Sequence, residues 1–175
     1  MSKKVLVTYA TKRGSTTEVA EFIGQTLREV GFEVDVQNVK QVKGVDGYDA
    51  VVVGSAIRIG NWLAEAKNFL KKHKARLSQV PLAYFTVCIT LAEDTPEHRE
   101  EVAGYLKPVR DILPAQAEGY FAGFVDVDNL PFIFRMMVKQ SEDIKEGDFR
   151  DWDAIKGWAL DIKPLLLGEA ETSPA

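Results

Sequence analysis

The sequence predicts an α/β protein: a five-stranded parallel sheet, doubly wound, with helices on both faces. Three observations predict it. Apolar runs of strand length alternate with segments of helical period five times along the chain. Two of those runs, Val5-Leu6-Val7 and Ala50-Val51-Val52-Val53, are continuously apolar, as strands covered on both faces are. The segments that join them have room for a crossover helix, which parallel pairing requires.

The elements follow in order. Residues 4–9 read as the first strand, and Ala10 to Thr16 as a short polar loop. Residues 16–30 read as a helix, with Val19, Phe22, Ile23, Leu27 and Val30 at helical spacing and Gly31 as its stop. Ser15-Thr16-Thr17-Glu18 fits a capping box at its start. Val34 and Val36 alternate with charged neighbours in a second, more exposed strand, and 40–47 reads as a loop or a poor helix. The third strand, 50–53, ends at Gly54-Ser55, and a loop runs over 54–62. Residues 61–74 form a helix with Leu63, Ala66, Phe69 and Leu70 inward. Pro81 to Val87 is the fourth strand. The next helix opens at Asp94-Thr95-Pro96-Glu97, and Pro108 kinks or splits it. Residues 118–125 are the fifth strand, and Asp151-Trp152 starts the last helix. Between these two lie about 25 residues, 126–150, a connection long enough to suggest function. One domain over 1–167 is expected, with this insertion and a flexible tail over 168–175.

Composition narrows the class. A chain of 175 residues with 46% apolar and 27% charged residues can bury a full core. Its net charge of −4 argues against a general nucleic-acid binder. A single cysteine excludes an internal disulfide and fits a reducing cytoplasm. No apolar run approaches the ~20 residues that span a bilayer, although peripheral contact with a membrane is compatible with the sequence.

In a doubly wound sheet the ligand lies outside the carboxyl ends of the strands. The loops there are 10–16, 54–62, 86–95 and 125–131. The first supplies Thr11, Ser15 and Thr16 as hydroxyl donors, Lys12 and Arg13 as cations, and Gly14 for close backbone approach. Set at a helix N-terminus, it reads as a phosphate cradle. It lacks both G-x-x-x-x-G-K-[ST] and G-x-G-x-x-G, so neither an NTPase nor a dinucleotide turn is supported. It carries no cysteine for phosphatase chemistry, and no aspartate ends the third strand as a phospho-acceptor. A terminal phosphate monoester remains.

Thr11-Lys12-Arg13-Gly14-Ser15-Thr16 resembles the [ST]-x-[TS]-G-x-T loop of the flavodoxin family, with Arg13 where a hydroxyl residue is common. Gly54-Ser55-Ala56-Ile57-Arg58-Ile59-Gly60-Asn61 resembles that family's isoalloxazine loop. The resemblance implies FMN as cofactor and strand order 2-1-3-4-5. It implies that Thr11, Lys12, Arg13, Gly14, Ser15 and Thr16 hold the phosphate. Ala56, Ile57, Arg58, Ile59, Gly60 and Asn61 would wrap the ring, and Val87, Cys88, Ile89 and Thr90 would form a third flavin loop. Ile59 stands where an aromatic often stacks, so Ile59 itself or Trp62 would cover the ring.

Within the superfamily the chain is similar to the menaquinone-dependent protoporphyrinogen oxidase group over residues 3–163. The basic-x-Gly-x-Thr pattern of the first loop, Ser55-Ala56-Ile57-Arg58-Ile59-Gly60, Phe69-Leu70-Lys71-Lys72-His73-Lys74-Ala75-Arg76-Leu77, the aromatic and Met-rich stretch from Phe132 to Met137 and Asp151-Trp152 carry the likeness. It implies an oxidoreductase that passes electrons from a reduced substrate to a quinone. A flavodoxin that only carries electrons to a redox protein partner is the alternative, and a flavin-free interaction domain a third reading. No catalytic acid or base and no metal site is expected.

Several residues have plainer readings. Cys88 reads as a small buried residue, and His73 and His98 as surface residues of helices. The basic run 71–76 reads as a solvated face, or as a docking strip for an acidic partner or membrane. Phe132 to Val138 reads as a core or homodimer segment, or as a hydrophobic lip over the flavin. Arg58 reads as a surface arginine, or as a cation that favours two-electron reduction.

Overall fold

A computed structural model describes residues 2–12, 14–125, 132, 133, 135, 136 and 147–169. Most of the 126–150 insertion, Arg13 and the last six residues of the expected tail lie outside the described residues.

β1 (Lys4–Ala10) pairs in parallel with β2 (Glu33–Asn38) on one side and β3 (Ala50–Arg58) on the other. β5 (Leu82–Val87) adds to β3, and β6 (Ala117–Phe121) to β5. The short β4 (Asn61–Trp62) folds back antiparallel on the end of β3. The order β2-β1-β3-β5-β6 is 2-1-3-4-5 when the parallel strands alone are counted, as the resemblance implied. The winding reverses between β1 and β3, so their carboxyl ends diverge into a crevice.

Strand alternation sends side chains to two cores. Val5, Val7, Tyr9, Ala50 and Val52 meet α1 (Ser15–Glu29) and α5 (Trp152–Asp161) through Val19, Ile23, Leu27, Ile155 and Ala159. Leu6, Val51 and Val53 face α2 (Ala64–Leu77) and α4 (Lys107–Ile112) through Phe69, Leu70, Leu106 and Val109. Each such fully buried aliphatic side chain contributes about 1.5–3 kcal/mol. Gly54 lets β3 and β5 approach: a Cβ there would lie 2.0 Å from Cζ of Phe85, its partner in register.

Four elements depart from expectation. β3 runs on to Arg58 rather than ending at Gly54, because Asn61 and Trp62 return as its hairpin partner. α2 accordingly starts at Ala64, not 61, and ends at Leu77. The expected fifth strand is two: β6 stops at Phe121, and Phe124–Val125 (β7) pairs antiparallel with Gly147–Asp148 (β8), joining the two stems of the insertion. α1 begins at Ser15 with Gly14 as its N-cap, so Ser15 is a helical residue and not the head of a capping box.

Other expectations hold. The helix divides at Leu106 into α3 (Pro96–Tyr105) and α4, with Pro108 in the first turn of the second piece. Arg110 secures the break, donating to Ala103 O (2.9 Å) and to the Glu118 carboxylate of β6. Asp151 caps α5 by accepting from the Ala154 amide at 3.0 Å. α6 (Lys163–Leu166) closes the described chain.

Candidate functional site

The loops after β1, β3 and β5 and the stem after β6 converge at the carboxyl end of the sheet. After β1 the chain turns on Thr11, whose Oγ1 accepts from the Gly14 amide at 3.0 Å. Gly14 takes φ = 89°, a left-handed conformation that a residue with a Cβ rarely adopts. That turn delivers α1 amino end first, and no side chain caps it. Uncapped first-turn amides and the helix dipole favour an anion.

Thr16 adds a second observation. It is fully buried, and its Oγ1 has no hydrogen-bond partner among the described residues. A buried hydroxyl without a partner costs about 1–3 kcal/mol; Thr8 Oγ1 of β1 shares this state, but only Thr16 stands in the first turn of α1, where it can donate to a ligand acceptor. The donor set of amides and hydroxyls therefore fits a phosphate monoester. Lys12 does not point its charge freely at this end: Nζ is 3.0 Å from Glu65 Oε1, which Lys40 also approaches at 3.7 Å. The Glu65 carboxyl lies below its usual range, first through its own backbone amide and then through Lys12.

Across the crevice stands the β3–β4 hairpin, Arg58-Ile59-Gly60-Asn61. Ile59 and Gly60 both have positive φ, 51° and 67°, the requirement of a two-residue hairpin turn. Asn61 Nδ2 steadies the tip by donating to Ile59 O at 3.0 Å. Ile59 is 87% exposed at the apex, an aliphatic side chain presented outward. Ala56 and Ile57 are half-buried at the hairpin's root and Arg58 is exposed. Ser55 Oγ holds that root, donating to Ala56 O and accepting from the Leu63 amide.

Trp62 is not a stacking surface. It is 2% exposed, donates Nε1 to Thr86 Oγ1 at 2.9 Å, and packs edge-on to Tyr84. The alternation of β4 turns Asn61 outward and Trp62 inward, so Trp62 anchors the hairpin to the core. That leaves Ile59 as the exposed apolar group at the tip.

The third loop follows β5. Val87 and Cys88 are buried, and Ile89 and Thr90 are half-buried at the start of a 3-10 turn over Ile89–Ala92. The Cys88 amide donates to Phe121 O at 2.9 Å. Burial pushes the Cys88 thiol up. His73 packs on Phe69, and His98 Nδ1 lies 2.6 Å from Glu93 O, so both are half-buried rather than open surface residues. Among the described residues no group of acids, histidines and cysteines could hold a metal ion.

The sequence reading missed two neighbours of these loops. Tyr105 of α3 backs the hairpin, its ring Cε1 3.4 Å from where a Cβ on Gly60 would sit. The Glu101 carboxylate that accepts from its hydroxyl raises the phenol to about 12. The second is the stem after β6. A Cβ on Gly123 would lie 4.0 Å from Ser15 Oγ, and the Phe149 amide bonds Gly123 O at 3.2 Å. No motif marks either, because both contacts are made across the fold.

The family model for the flavodoxin domain matches residues 6–151. The chain belongs to the flavodoxin family. It is 28% identical over 173 residues to protoporphyrinogen IX dehydrogenase (quinone) of Escherichia coli (strain K12), covering 93% of this chain and 96% of that protein. The protein of the same name from Leishmania major is 28% identical over 180 residues, covering 95% of this chain and 77% of its own. Among solved structures, a point variant of Fusobacterium nucleatum flavodoxin bound to flavin mononucleotide superposes with a TM-score of 0.55. It shares 17% identity and covers 93% of this chain and 96% of its own, a likeness of fold. Among the described residues of this flavodoxin-family chain, no helix is long and apolar enough to cross a membrane.

Proposed function

We propose that this flavodoxin-family chain binds FMN and oxidises a reduced tetrapyrrole of the protoporphyrinogen class, passing the electrons to a quinone. The observation that carries the reading is the pairing of an uncapped α1 and the buried, unpartnered Thr16 hydroxyl with the exposed Ile59 across the crevice. One side offers donors to a phosphate, the other an apolar contact to a flat ring. The similarity to two dehydrogenases of that name over most of both chains supports the substrate class.

In this reading residues 1–167 act as one FMN-binding domain in the cytoplasm. Thr11 and Thr16 donate their hydroxyls to the phosphate, with the backbone amides of Ser15 and Thr16 around it; the Gly14 amide is held by Thr11 Oγ1. The hairpin from Ala56 to Asn61 borders the ring on one side and Val87 to Thr90 on the other. Arg58 supplies a cation at the ring's edge. When bound, FMN would supply two-electron redox chemistry between the reduced substrate and the quinone. Phe132, Ile133 and Met136 of the insertion are exposed apolar residues, side chains of a kind suited to an apolar electron acceptor.

The purified chain should show flavin absorbance or take up FMN after stripping. A colourless protein that cannot be reconstituted refutes the reading. Anaerobic mixing of the loaded protein with protoporphyrinogen and a quinone should then yield porphyrin fluorescence at a catalytic rate. Loaded protein that gives none, and that accumulates its one-electron reduced form on photoreduction, is instead a carrier to a redox protein.

A further inference from the structure

Arg150 joins the base of the insertion to the first turn of α1. Its side chain is only 8% exposed. The guanidinium lies over the rings of Trp152 (4.8 Å) and Phe124 (5.5 Å). Nε and Nη2 bond the two oxygens of Asp148 at 2.8 and 2.7 Å, and Nη1 reaches Glu18 Oε2 at 2.9 Å. The Arg150 amide also donates to Asp148 Oδ1, at 3.0 Å. So much fixing of one cation suggests more than a surface ion pair.

Glu18 gives the reason. It is the acidic residue of α1's first turn, the turn whose uncapped amides face the crevice. A carboxylate there stabilises the helix, but it also competes with any other anion for the positive end. Against a phosphate dianion it is a repulsive charge. Lys12, one of the two cations that the sequence places in the preceding loop, is engaged by Glu65.

We propose that Arg150 is a positioning residue for the phosphate subsite: it neutralises Glu18 and holds it aside, leaving the α1 amides to a phosphate. This rests on the FMN reading above.

The test is titration of the flavin-stripped full-length chain with FMN and with riboflavin, which has no phosphate, at low and high salt. Arg150→Met should weaken FMN about five-fold at low salt, the size of one exposed charge acting on a dianion. Riboflavin should be unaffected, and the FMN defect should shrink at high salt. Adding Glu18→Gln to Arg150→Met should restore FMN affinity. Glu18→Gln alone should tighten FMN, and this exposed substitution decides the matter even if Arg150→Met fails to fold. Equal weakening of both flavins, no rescue in the double variant, or weaker FMN binding by Glu18→Gln would overturn the proposal. A parent chain that binds neither flavin refutes the cofactor reading itself, a result distinct from these.

Discussion

Replacing Thr16 by Val should make the protein more stable and a worse FMN binder at once. The change keeps shape and β-branching, so helix propensity and packing are nearly conserved. What it removes is one hydroxyl in a site with no exposure and no partner. That group costs about 1–3 kcal/mol when buried alone. Removing it should raise the melting temperature of the flavin-free protein by about 4–8 °C for a gain of ~2 kcal/mol in a domain of this size. The same hydroxyl, donated to a charged phosphate, is worth about 1.5–3 kcal/mol, so FMN affinity should fall about 10- to 150-fold. The assay pairs thermal unfolding of stripped protein with a fluorescence titration. Riboflavin serves as the control and should bind as before. A lower melting temperature, or an unchanged FMN affinity, would show that Thr16 is an ordinary packing residue.

Two further tests use other parts of the crevice. Ile59→Asn relieves a β-branched residue held at φ = 51°, a conformation Asn tolerates; the stripped protein should gain about 1 kcal/mol in stability by thermal unfolding. FMN and riboflavin should weaken together, because the lost contact is to the ring they share. The Asp148 carboxyl is held below its usual range, first by its hydrogen bond to Arg150. Its stabilising share is therefore fully present above about pH 4 and lost as pH falls through the lower folded value. Near-ultraviolet dichroism should report loosening around Trp152 only below pH 4, and Asp148→Asn should abolish that acid phase.

The strand-helix alternation was legible because continuous apolar runs such as 50–53 belong only to covered strands. The turn from β1 into α1 was legible too, since Gly14 with its flanking hydroxyls sits between a strand and a helix. Its cap was not. Ser15 to Glu18 has the spacing of a capping box, but the Thr11–Gly14 hydrogen bond turns the chain one residue earlier. The hairpin was missed because Ile-Gly is a poor signal for a turn that favours Asn-Gly, and Ile59 occupies it at a steric cost. Trp62 was misjudged because its partner, Thr86, lies on another strand. Arg150 left no local trace for a similar reason: its contact with Glu18 joins opposite ends of the sequence.

The sole cysteine of the chain, Cys88, directly follows β5 beside this crevice. Quinones are electrophiles that add to thiolates, and a catalyst that reduces them risks being alkylated by its own substrate. Here the thiol is 5% exposed, and burial keeps it protonated. In the proposed reaction with a quinone, burial and a raised thiol pKa would together deny the electrophile its nucleophile.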